Sequence, residues 1–379
     1  MTEANELILT SQVVADYLND VILEDILTKW NLTECKITIY PKYEDCKNVI
    51  YFVQQKDKEY VLRISFRKDR TLPLLKAEAH FLEYLKANKV PVSYPILSAK
   101  GTYVEPILMD DLTFYAMLFT KVKGFSMPEK NYQYRKGVPI DEYYFNFGKT
   151  IGMIHRHTGH YTPLNRMTMR AEFIPNLDIK LLSNYLPQVY KAPATPHSKG
   201  VLIETKFMNL INETKRLPKD AKCYGLIHTD FHDENFLVNN DNGILTIFDF
   251  DDAAYCWFMY DIANAWTKGM NMFKYETTIE KRKAKMDEWY EKIMGGYSTE
   301  HTLSKYWLTK LELFIKIVEM EDLINIFQHL ELSGENIENS EELNYRLTCI
   351  ENDIPYFGFF DNIYNPNKPF CLEQVVSGE

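Results

Sequence analysis

The chain has 379 residues, of which 46% are hydrophobic and 25% are charged, and its formal net charge at pH 7 is −10. The composition is typical of a folded globular protein, and the length predicts two lobes or domains because single hydrophobic cores seldom grow so large. The acidic balance argues against nucleic acid as a partner, since contacts to a phosphate backbone require a basic surface.

The cysteines and the N-terminal residues indicate neither export nor membrane insertion. The six cysteines are scattered, and no pair has the two-residue gap of a zinc or redox motif, which predicts free thiols in a reducing compartment. The N-terminal segment lacks a basic region followed by an apolar core, and no apolar run approaches the roughly 20 residues that span a bilayer. We therefore expect a cytoplasmic protein with no membrane partner.

The first part of the chain has the pattern of a β-rich lobe with one inserted helix. Residues 11–30 predict a helix with one apolar face, formed by Val14, Leu18, Ile22 and Ile26. Apolar, β-branched runs before and after a second predicted helix favour strands, with turns at polar segments and at Gly101. The apolar runs cover residues 35–66 and 115–124. The helix covers residues 72–89, and residues 90–97 are extended. We place the end of this lobe at residue 121.

From residue 122 to residue 379 the pattern is mainly helical. A helix over residues 142–158 has one apolar stripe, formed by Tyr144, Phe147, Ile151 and Ile154. Prolines between residues 160 and 200 predict irregular connections with a short helix, and helical spacing returns from residue 260 to about residue 350. This part is expected to form a larger, mainly helical lobe.

Two acid-rich segments, HTDFHDEN at 228–235 and DFDD at 249–252, are joined by a predicted β-hairpin. Two apolar runs separated by a turn that ends in Asn-Gly are a strong hairpin signal, because this pair accepts the positive φ of tight turns. Pairing the strands about the turn puts Asn235 opposite a residue near Asp249, and Asp230 lies one short loop earlier. Oxygen ligands that converge in this way favour a hard cation such as Mg²⁺.

The spacing of His228, Asp230 and Asn235 is H-x-D-x-x-x-x-N, that of a kinase-type catalytic loop. In that chemistry the aspartate orients and deprotonates the accepting hydroxyl, while the asparagine and a later aspartate, here Asp249, hold metal ions against the nucleotide phosphates. If Asp230, Asn235 and Asp249 had only structural roles, their convergence with this spacing would be a coincidence. The pattern therefore favours a functional role.

Other interpretations of the same residues are simpler. Asp230 could cap a turn, and His228 is most naturally a core histidine that braces the loop by hydrogen bonding. His228 and His232 are four residues apart, as zinc ligands on a helix are. The flanking residues read as strands, however, and no glutamate directly follows the first histidine. Zinc-dependent hydrolysis is thus the lesser alternative.

Arg63 and Glu78 are the two charged residues that fall on predicted apolar faces. Arg63 lies in the middle of an apolar strand, and Glu78 shares one helix stripe with Leu74, Phe81 and Leu85. Either charge alone would be costly to bury, and an ion pair between them removes both penalties. At this point a structural salt bridge and a pair that presents Arg63 to nucleotide phosphates remain equally open.

The two acid-rich segments resemble those of the aminoglycoside phosphotransferase and choline kinase family, within the protein-kinase-like superfamily. HTDFHDENFLV resembles the catalytic loop of the family, with Thr229 at the usual glycine, and IFDFDDAAYCWFMYDIA resembles its metal-binding segment. The resemblance implies an α+β, bilobal protein-kinase-like fold. Residues 1–121 would form the nucleotide-binding lobe of sheet and helix, and residues 122–379 the lobe with the catalytic loop, the metal site and the acceptor-binding helices.

The resemblance also implies roles for individual residues. Asp230 would be the catalytic base, and Asp261 a buried aspartate that supports the catalytic loop. The implied magnesium ligands are Asn235 and Asp249, with Asp251 as a candidate further ligand. Arg63, paired with Glu78, would take the place of the phosphate-contacting lysine. The hinge whose backbone holds adenine would contain Leu118, Phe119 and Thr120.

Three departures from the family pattern bear on this interpretation. The segment expected to cover the phosphates, residues 40–49, has no glycine. Arg63 replaces lysine, a change that alters hydrogen-bond geometry. Asp251 occupies the position of the D-F-G glycine of protein kinases, which favours the branch that acts on small molecules.

The sequence thus predicts an ATP- and Mg²⁺-dependent kinase that phosphorylates a hydroxyl of a small molecule. An amine-bearing acceptor, such as an aminoglycoside or an amino alcohol, would suit an acidic protein. Two alternatives stay open, namely a serine/threonine protein kinase of the same fold and a nucleotide-binding module without catalysis.

Overall fold

The computed structural model describes residues 10–41, 47–109, 112–163, 171–174, 177, 179–191, 195, 198–333 and 341–358. The chain divides into two compact units. The β-rich unit contains residues 1–129, 162–170 and 234–251, and the helical unit contains residues 130–161, 171–233 and 252–379. Segment 234–251 therefore belongs to the β-rich unit, although it follows residue 121 in the sequence. The functional division into lobes 1–121 and 122–379 stays a prediction.

The described secondary structure consists mainly of strands, with three α-helices, in the β-rich unit and is mostly α-helical elsewhere. The strands are β1 (Lys36–Ile39), β2 (Val49–Gln55), β3 (Lys58–Ser65), β4 (Glu105–Met109), β5 (Leu112–Thr120), β6 (Tyr224–Ile227), β7 (Phe236–Val238), β8 (Leu245–Ile247) and β9 (Ala254–Trp257). The α-helices are α1 (Ser11–Tyr17), α2 (Asp20–Thr28), α3 (Leu72–Ala87), α4 (Asp141–Thr158), α5 (Lys180–Val189), α6 (Lys199–Thr214), α7 (Phe258–Met272), α8 (Ile279–Tyr297), α9 (Lys305–Leu308), α10 (Leu311–Ser333) and α11 (Glu341–Asn352). A short 3-10 helix covers Pro128–Lys130.

A five-stranded antiparallel sheet in the order β1-β2-β3-β5-β4 forms the frame of the β-rich unit. Val49, Tyr51 and Val53 alternate along β2 and are all buried, as expected for a strand with one face on a hydrophobic core. Strand β3 lies at the centre of the sheet and therefore holds Arg63 between two hydrogen-bonded neighbours. The predicted strands are confirmed, and β4 is an addition that the sequence did not indicate.

The N-terminal helix predicted over residues 11–30 is wrong in one respect, because the structure has two helices there. The side chain of Asn19 accepts a hydrogen bond from the backbone N–H of Ile22, which caps the start of α2. The break rotates the buried face, so that Leu23 and Ile26 enter the core while Ile22 is only half buried. A good capping residue thus outweighed the continuous apolar pattern.

Helix α3 is the predicted inserted helix, and it begins with Pro73 in its first turn, where proline loses no hydrogen bond. It buries Glu78, Phe81 and Leu85 on one face, which confirms three of the four residues of the predicted stripe, while Leu74 is only half buried. Phe81 contacts Phe250 edge to face, with ring centroids 5.8 Å apart. Helix α3 thereby packs against the segment that follows β8.

The predicted hairpin is confirmed, since β7 and β8 pair antiparallel with Phe236 opposite Ile247. In its turn the side chain of Asn239 accepts hydrogen bonds from two backbone N–H groups, and Gly243 has φ +71°. Gly124 packs against the hairpin so closely that a Cβ atom there would lie 2.4 Å from the carbonyl oxygen of Val238. These contacts fix the hairpin within the β-rich unit.

The helical unit contains a close pair formed by α4 and α8. A Cβ atom on Gly148 would lie 1.8 Å from the carbonyl oxygen of Ile293, and one on Gly296 would lie 1.9 Å from that of Phe145. Glycine at these positions lets the two backbones approach. The predicted stripe of α4 is buried as expected (Tyr144, Phe147, Ile151 and Ile154). Helix α6 was not predicted.

No helix in the described part of the chain has the length and the apolar character needed to cross a bilayer. Four cysteines of that part, Cys35, Cys223, Cys256 and Cys349, are free thiols.

Glu319 of α10 is a carboxylic acid buried in the helical unit, with 7% of its surface exposed. Burial raises its pKa to about 7, although the positive charge of Arg346 and a hydrogen bond from the backbone of Tyr356 oppose the shift. Because the pKa is higher in the folded state, the protonated form stabilises the fold fully below the unfolded-state pKa, and this contribution is lost as the pH rises through about 7.

We therefore expect Glu319→Gln to stabilise the protein at pH 8 but much less at pH 5. The stabilisation at pH 8 should exceed that at pH 5 by at most about 3 kcal/mol in the free energy of unfolding. Urea unfolding at both pH values measures it. Glu312→Gln, at an exposed position of the same helix, is the matched control and should change the free energy of unfolding by less than about 0.5 kcal/mol. An equal effect of Glu319→Gln at both pH values would contradict the raised pKa of Glu319.

Candidate active site

The loop that follows β6 in the helical unit is fixed by side chains of α7. Thr229 has φ +68°, a conformation that favours glycine and that accounts for the usual glycine at this position. Its N–H donates to Asp261 Oδ1 over 3.0 Å, and Asn264 Nδ2 donates to its carbonyl oxygen over 3.1 Å. The hydroxyl of Thr229 lies 3.1 Å from the carbonyl oxygen of Asp252. These bonds compensate for the backbone strain that threonine introduces.

Asp261 is fully buried and has the contacts expected of a residue that supports this loop. Its Oδ2 lies 3.3 Å from the N–H of His228 and 3.1 Å from His155 Nε2. His155 Nδ1 lies 3.0 Å from the hydroxyl of Tyr297. Burial lowers the pKa of His155, although the bond to Asp261 opposes this shift. The sequence did not identify His155 or Tyr297, because both lie within apolar helical stripes.

Asp230 carries a half-exposed carboxylate (48%) whose Oδ2 lies 3.4 Å from His232 Nε2. Partial burial alone would raise the pKa of Asp230. The hydrogen bond and charge of His232 and the charge of Lys268 outweigh this effect and hold the pKa below its usual range. Lys268 lies one turn beyond Asn264 on the same face of α7. Asp230 is therefore ionised at neutral pH, as a proton-accepting group must be.

The geometry around His232 does not favour the zinc interpretation. Residues 228–232 form a loop rather than a helix, His228 is fully buried, and His232 contacts the carboxylates of Asp230 and Asp233. Within the described ranges, no three His, Cys, Asp or Glu side chains form a group that could hold a metal ion. His228 contacts Phe231 edge to face, as befits a core histidine.

In the β-rich unit the predicted ion pair between Arg63 and Glu78 is confirmed. The guanidinium donates two hydrogen bonds to the carboxylate, over 2.8 and 2.6 Å, and both residues are buried. Arg63 Nη1 also lies 4.0 Å from Asp249 Oδ1. Burial opposes the charged form of Arg63, but Glu78 and the aspartates outweigh it and raise its pKa. Arg63 is thus a permanent positive charge next to a proposed metal ligand.

Asn235 and Asp249 lie at the open end of the hairpin, as predicted. The N–H of Phe248 donates to the carbonyl oxygen of Asn235 over 2.9 Å, so Asp249 follows directly after the residue that faces Asn235. Asp249 has φ +63°, and its side chain is 47% exposed. An amide oxygen and an accessible carboxylate are donors that fit Mg²⁺. Their roles as metal ligands stay predictions.

Asp251 has partners that the sequence did not indicate. Its Oδ2 accepts hydrogen bonds from Asn48 Nδ2 over 2.9 Å and from Arg70 Nε over 3.1 Å, and the residue is buried. Burial opposes the ionised form, yet the charges of Arg70 and Arg63 hold the pKa of Asp251 below its usual range. This carboxylate oxygen is already occupied by protein donors. Its role as a further magnesium ligand stays a prediction that these contacts do not favour.

The predicted hinge is the end of β5, where Leu118 and Phe119 are buried. The carbonyl oxygen of Leu118 accepts from the N–H of Ile96 over 2.7 Å, and the N–H of Thr120 donates to the carbonyl oxygen of Tyr94 over 3.1 Å. These two backbone groups are therefore bonded within the unit. Adenine binding by residues 118–120 stays a prediction and would use other backbone atoms of the hinge.

The segment expected to cover the phosphates, residues 40–49, is described only in part, since residues 42–46 lie outside the described residues. Its last part contains Asn48, which is buried and bonded to Asp251.

Solved structures have the same fold. Amicoumacin kinase hAmiN, in complex with AMP-PNP, Ca²⁺ and Ami, has a TM-score of 0.76 and 22% identity, and the alignment covers 93% of this chain and 98% of that chain. A microcompartment-associated aminopropanol kinase has a TM-score of 0.61 and 17% identity over 89% of this chain and 95% of that chain. At these identities the likeness shows the fold, and it confirms the predicted α+β, protein-kinase-like class.

Sequence comparison places the chain in a family. Amicoumacin kinase of Bacillus subtilis (strain 168) is 26% identical over 317 residues, which are 83% of this chain and 88% of that protein. Residues 44–298 match the model of the phosphotransferase enzyme family (APH). Because this match covers more than half of the chain and includes both acid-rich segments, the protein belongs to the phosphotransferase enzyme family, as the resemblance predicted.

Proposed function

We propose that the protein is an ATP- and Mg²⁺-dependent kinase that transfers the γ-phosphate to a hydroxyl of a small molecule. The observation that carries this proposal is the loop at 228–235. Its H-x-D-x-x-x-x-N spacing is accompanied by an ionised, half-exposed Asp230 and by a backbone that Asp261 and Asn264 hold in place. The family match and the named relatives support the same activity.

Each residue has a distinct chemical task in this proposal. The Asp230 carboxylate accepts a hydrogen bond from the acceptor hydroxyl, orients it, and takes its proton as the phosphoryl group transfers. Asn235 and Asp249 would hold magnesium, which when bound neutralises charge on the phosphate oxygens. Arg63 adds a fixed positive charge beside Asp249, and Glu78 holds the guanidinium in place.

An amine-bearing acceptor is supported by an acidic side chain in the helical unit. Glu321 of α10 accepts hydrogen bonds from the hydroxyl of Tyr260 over 3.2 Å and from Asn325 over 2.8 Å. Burial and the negative charges of Asp322 and Asp230 raise its pKa to about 7. An ammonium group bound there would stabilise the ionised form of Glu321. The names amicoumacin kinase and aminopropanol kinase make these two compounds the first acceptors to test. The proposal includes a cytoplasmic location for the protein, because ATP is available there.

The experiment is Mg²⁺-dependent ATP consumption with a panel of acceptors. The panel contains amicoumacin, aminopropanol, an aminoglycoside, an amine-free sugar and a generic protein substrate. We expect one amine-bearing compound to stimulate turnover, to gain a phosphate by mass spectrometry, and to lose this stimulation when EDTA is added.

The alternatives give different results. Phosphorylation of the protein substrate alone would identify a protein kinase, and nucleotide binding without turnover on any acceptor would identify a binding module. Stimulation by the amine-free sugar at the same kcat/KM as by the amines would contradict the proposed acceptor class but not the kinase.

A further inference from the structure

A buried polar network surrounds Asp251 in the β-rich unit. Besides its bonds from Asn48 and Arg70, the network includes Ser65, whose hydroxyl donates to Asn48 Oδ1 over 2.8 Å. Arg70 Nη1 also contacts Asp69 Oδ2 over 2.9 Å. Asn48, Ser65, Arg70 and Asp251 are each at most 9% exposed. A buried, charged network of this kind must be well satisfied, since unpaired members would be costly.

The members of this network come from three parts of the chain, namely Asn48, residues 65–70 and Asp251, and Asp251 is far from the others in the sequence. Asn48 is the second-last residue of the segment predicted to cover the phosphates, and Ser65 is two residues after Arg63 on β3. Arg70 lies in the loop that leads into α3, the helix that carries Glu78. Asp251 is two residues after Asp249. The network therefore links the strand that carries Arg63, the loop before the helix that carries Glu78, and the segment that carries Asp249. It does not include Asn235.

Asp249 requires such support because of its backbone. A non-glycine residue at φ +63° is strained by about 1 kcal/mol or more, and it keeps that conformation only where its surroundings impose it. Contacts of the DFD segment that can support this conformation include the packing of Phe250 on Phe81 and the bonds of Asp251 to Asn48 and Arg70. These contacts fix the two residues that follow Asp249.

We propose that Arg70 and Asn48 position the metal-binding carboxylate of Asp249 by anchoring Asp251, and that Asp251 is a positioning residue rather than a magnesium ligand. This inference rests on the proposed function. A cation bound to Asp251 would have to compete with the guanidinium for the same carboxylate and would be repelled by it. The anchoring bonds instead hold the chain so that Asp249, with its accessible side chain, faces Arg63 at 4.0 Å.

The test is the binding of AMP-PNP with and without Mg²⁺, measured by isothermal titration calorimetry on Arg70→Met, Asp251→Asn and the double variant. Substitution of a residue that orients a metal ligand typically lowers the affinity for the metal by about 10-fold or more. We expect each single variant to reduce the Mg²⁺-dependent gain in affinity by about 10-fold. The double variant should be no worse than either single variant, because both changes remove one shared interaction. Affinity without Mg²⁺ should stay the same.

A metal-ligand role for Asp251 predicts the opposite response to loss of its partners. Removing Arg70 would then free the carboxylate and leave Mg²⁺-dependent binding unchanged or tighter, while Asp251→Asn alone would weaken it. That result would overturn the inference. Because Arg70→Met removes a guanidinium from a buried carboxylate and could unfold the protein, Asn48→Ala provides a milder variant. Its expected loss is about 5-fold, the worth of one hydrogen bond, and an unchanged or tighter affinity would again contradict the proposal.

Arg67→Met is the matched control, since Arg67 lies in the same loop with a side chain that is 37% exposed and that pairs with Asp69 rather than with Asp251. It should leave nucleotide binding and turnover unchanged, and a loss as large as that of Arg70→Met would overturn the inference, because it would show a general effect of loop charge. Asp230→Asn separates the two proposals. If Asp230→Asn abolishes turnover while Arg70→Met and Asn48→Ala bind Mg²⁺ and nucleotide normally, the kinase stands and only the positioning inference fails.

Discussion

Asp230→Asn is expected to lower kcat by at least about 10³-fold while leaving the affinity for AMP-PNP and Mg²⁺ within about threefold of the wild type. Asparagine has nearly the same shape but cannot accept the proton of the acceptor hydroxyl. Nucleotide and metal are assigned to residues of the β-rich unit, so their binding should persist. Steady-state kinetics with the acceptor identified in the panel, together with calorimetry, measure both quantities.

Two results would contradict this assignment of Asp230. Turnover within tenfold of the wild type would exclude Asp230 as the base, and a loss of nucleotide binding equal to the loss of kcat would indicate a structural role. Asp241→Asn, in the exposed turn of the β7–β8 hairpin, is the matched control for the same chemical change. It should leave kcat unchanged.

His232 offers a second check on the state of Asp230. Because His232 is one of the groups that lower the pKa of Asp230, His232→Gln should raise that pKa toward its ordinary value of about 4. Activity requires the ionised carboxylate, so the acid limb of the pH–rate profile should move to higher pH while the rate at pH 8 changes little. An unchanged acid limb would show that another group controls it.

The part of the site that the sequence predicted consists of residues close together in the chain. Asn235 and Asp249 are joined by a short hairpin whose Asn-Gly turn fixes the register, so their proximity followed from strand pairing alone. Arg63 and Glu78 lie on adjacent elements, and periodicity placed each of them on a buried face. Both inferences needed only local geometry and the cost of burying a charge.

The part that the sequence did not predict depends on contacts between distant segments. Asn48 and Asp251 are 203 residues apart in the chain, and Arg70 and Asp251 are 181 residues apart. No local pattern marks such partners, since a polar residue next to a strand is usually solvated. The break between α1 and α2 was missed for another reason, because the apolar spacing continues across Asn19 while its side chain caps the start of a second helix. Tertiary structure decided the contacts of Asp251, and a local cap decided the break in the helix.

The ion pair between Arg63 and Glu78 was left open between a structural and a functional role, and a pair of variants separates the two. Glu78→Leu leaves a buried guanidinium without its carboxylate, which is expected to lower the free energy of unfolding by about 3–5 kcal/mol. Adding Arg63→Met removes the second charge as well. Because replacement of a complete buried pair by apolar residues is often nearly neutral, most of the lost stability should return in the double variant.

Activity should respond differently from stability. Arg63 lies 4.0 Å from Asp249, so the double variant is expected to be stable but to bind Mg²⁺ and AMP-PNP much more weakly, by about 10²-fold for the loss of a charge that contacts phosphate. Urea unfolding and calorimetry on the same samples give both numbers. Glu83→Gln, which removes a partly exposed pair with Lys86 on the same helix, should change neither free energy by more than about 0.5 kcal/mol. If the stable double variant bound nucleotide like the wild type, the pair would be a structural salt bridge, and the phosphates would have to be held by other groups.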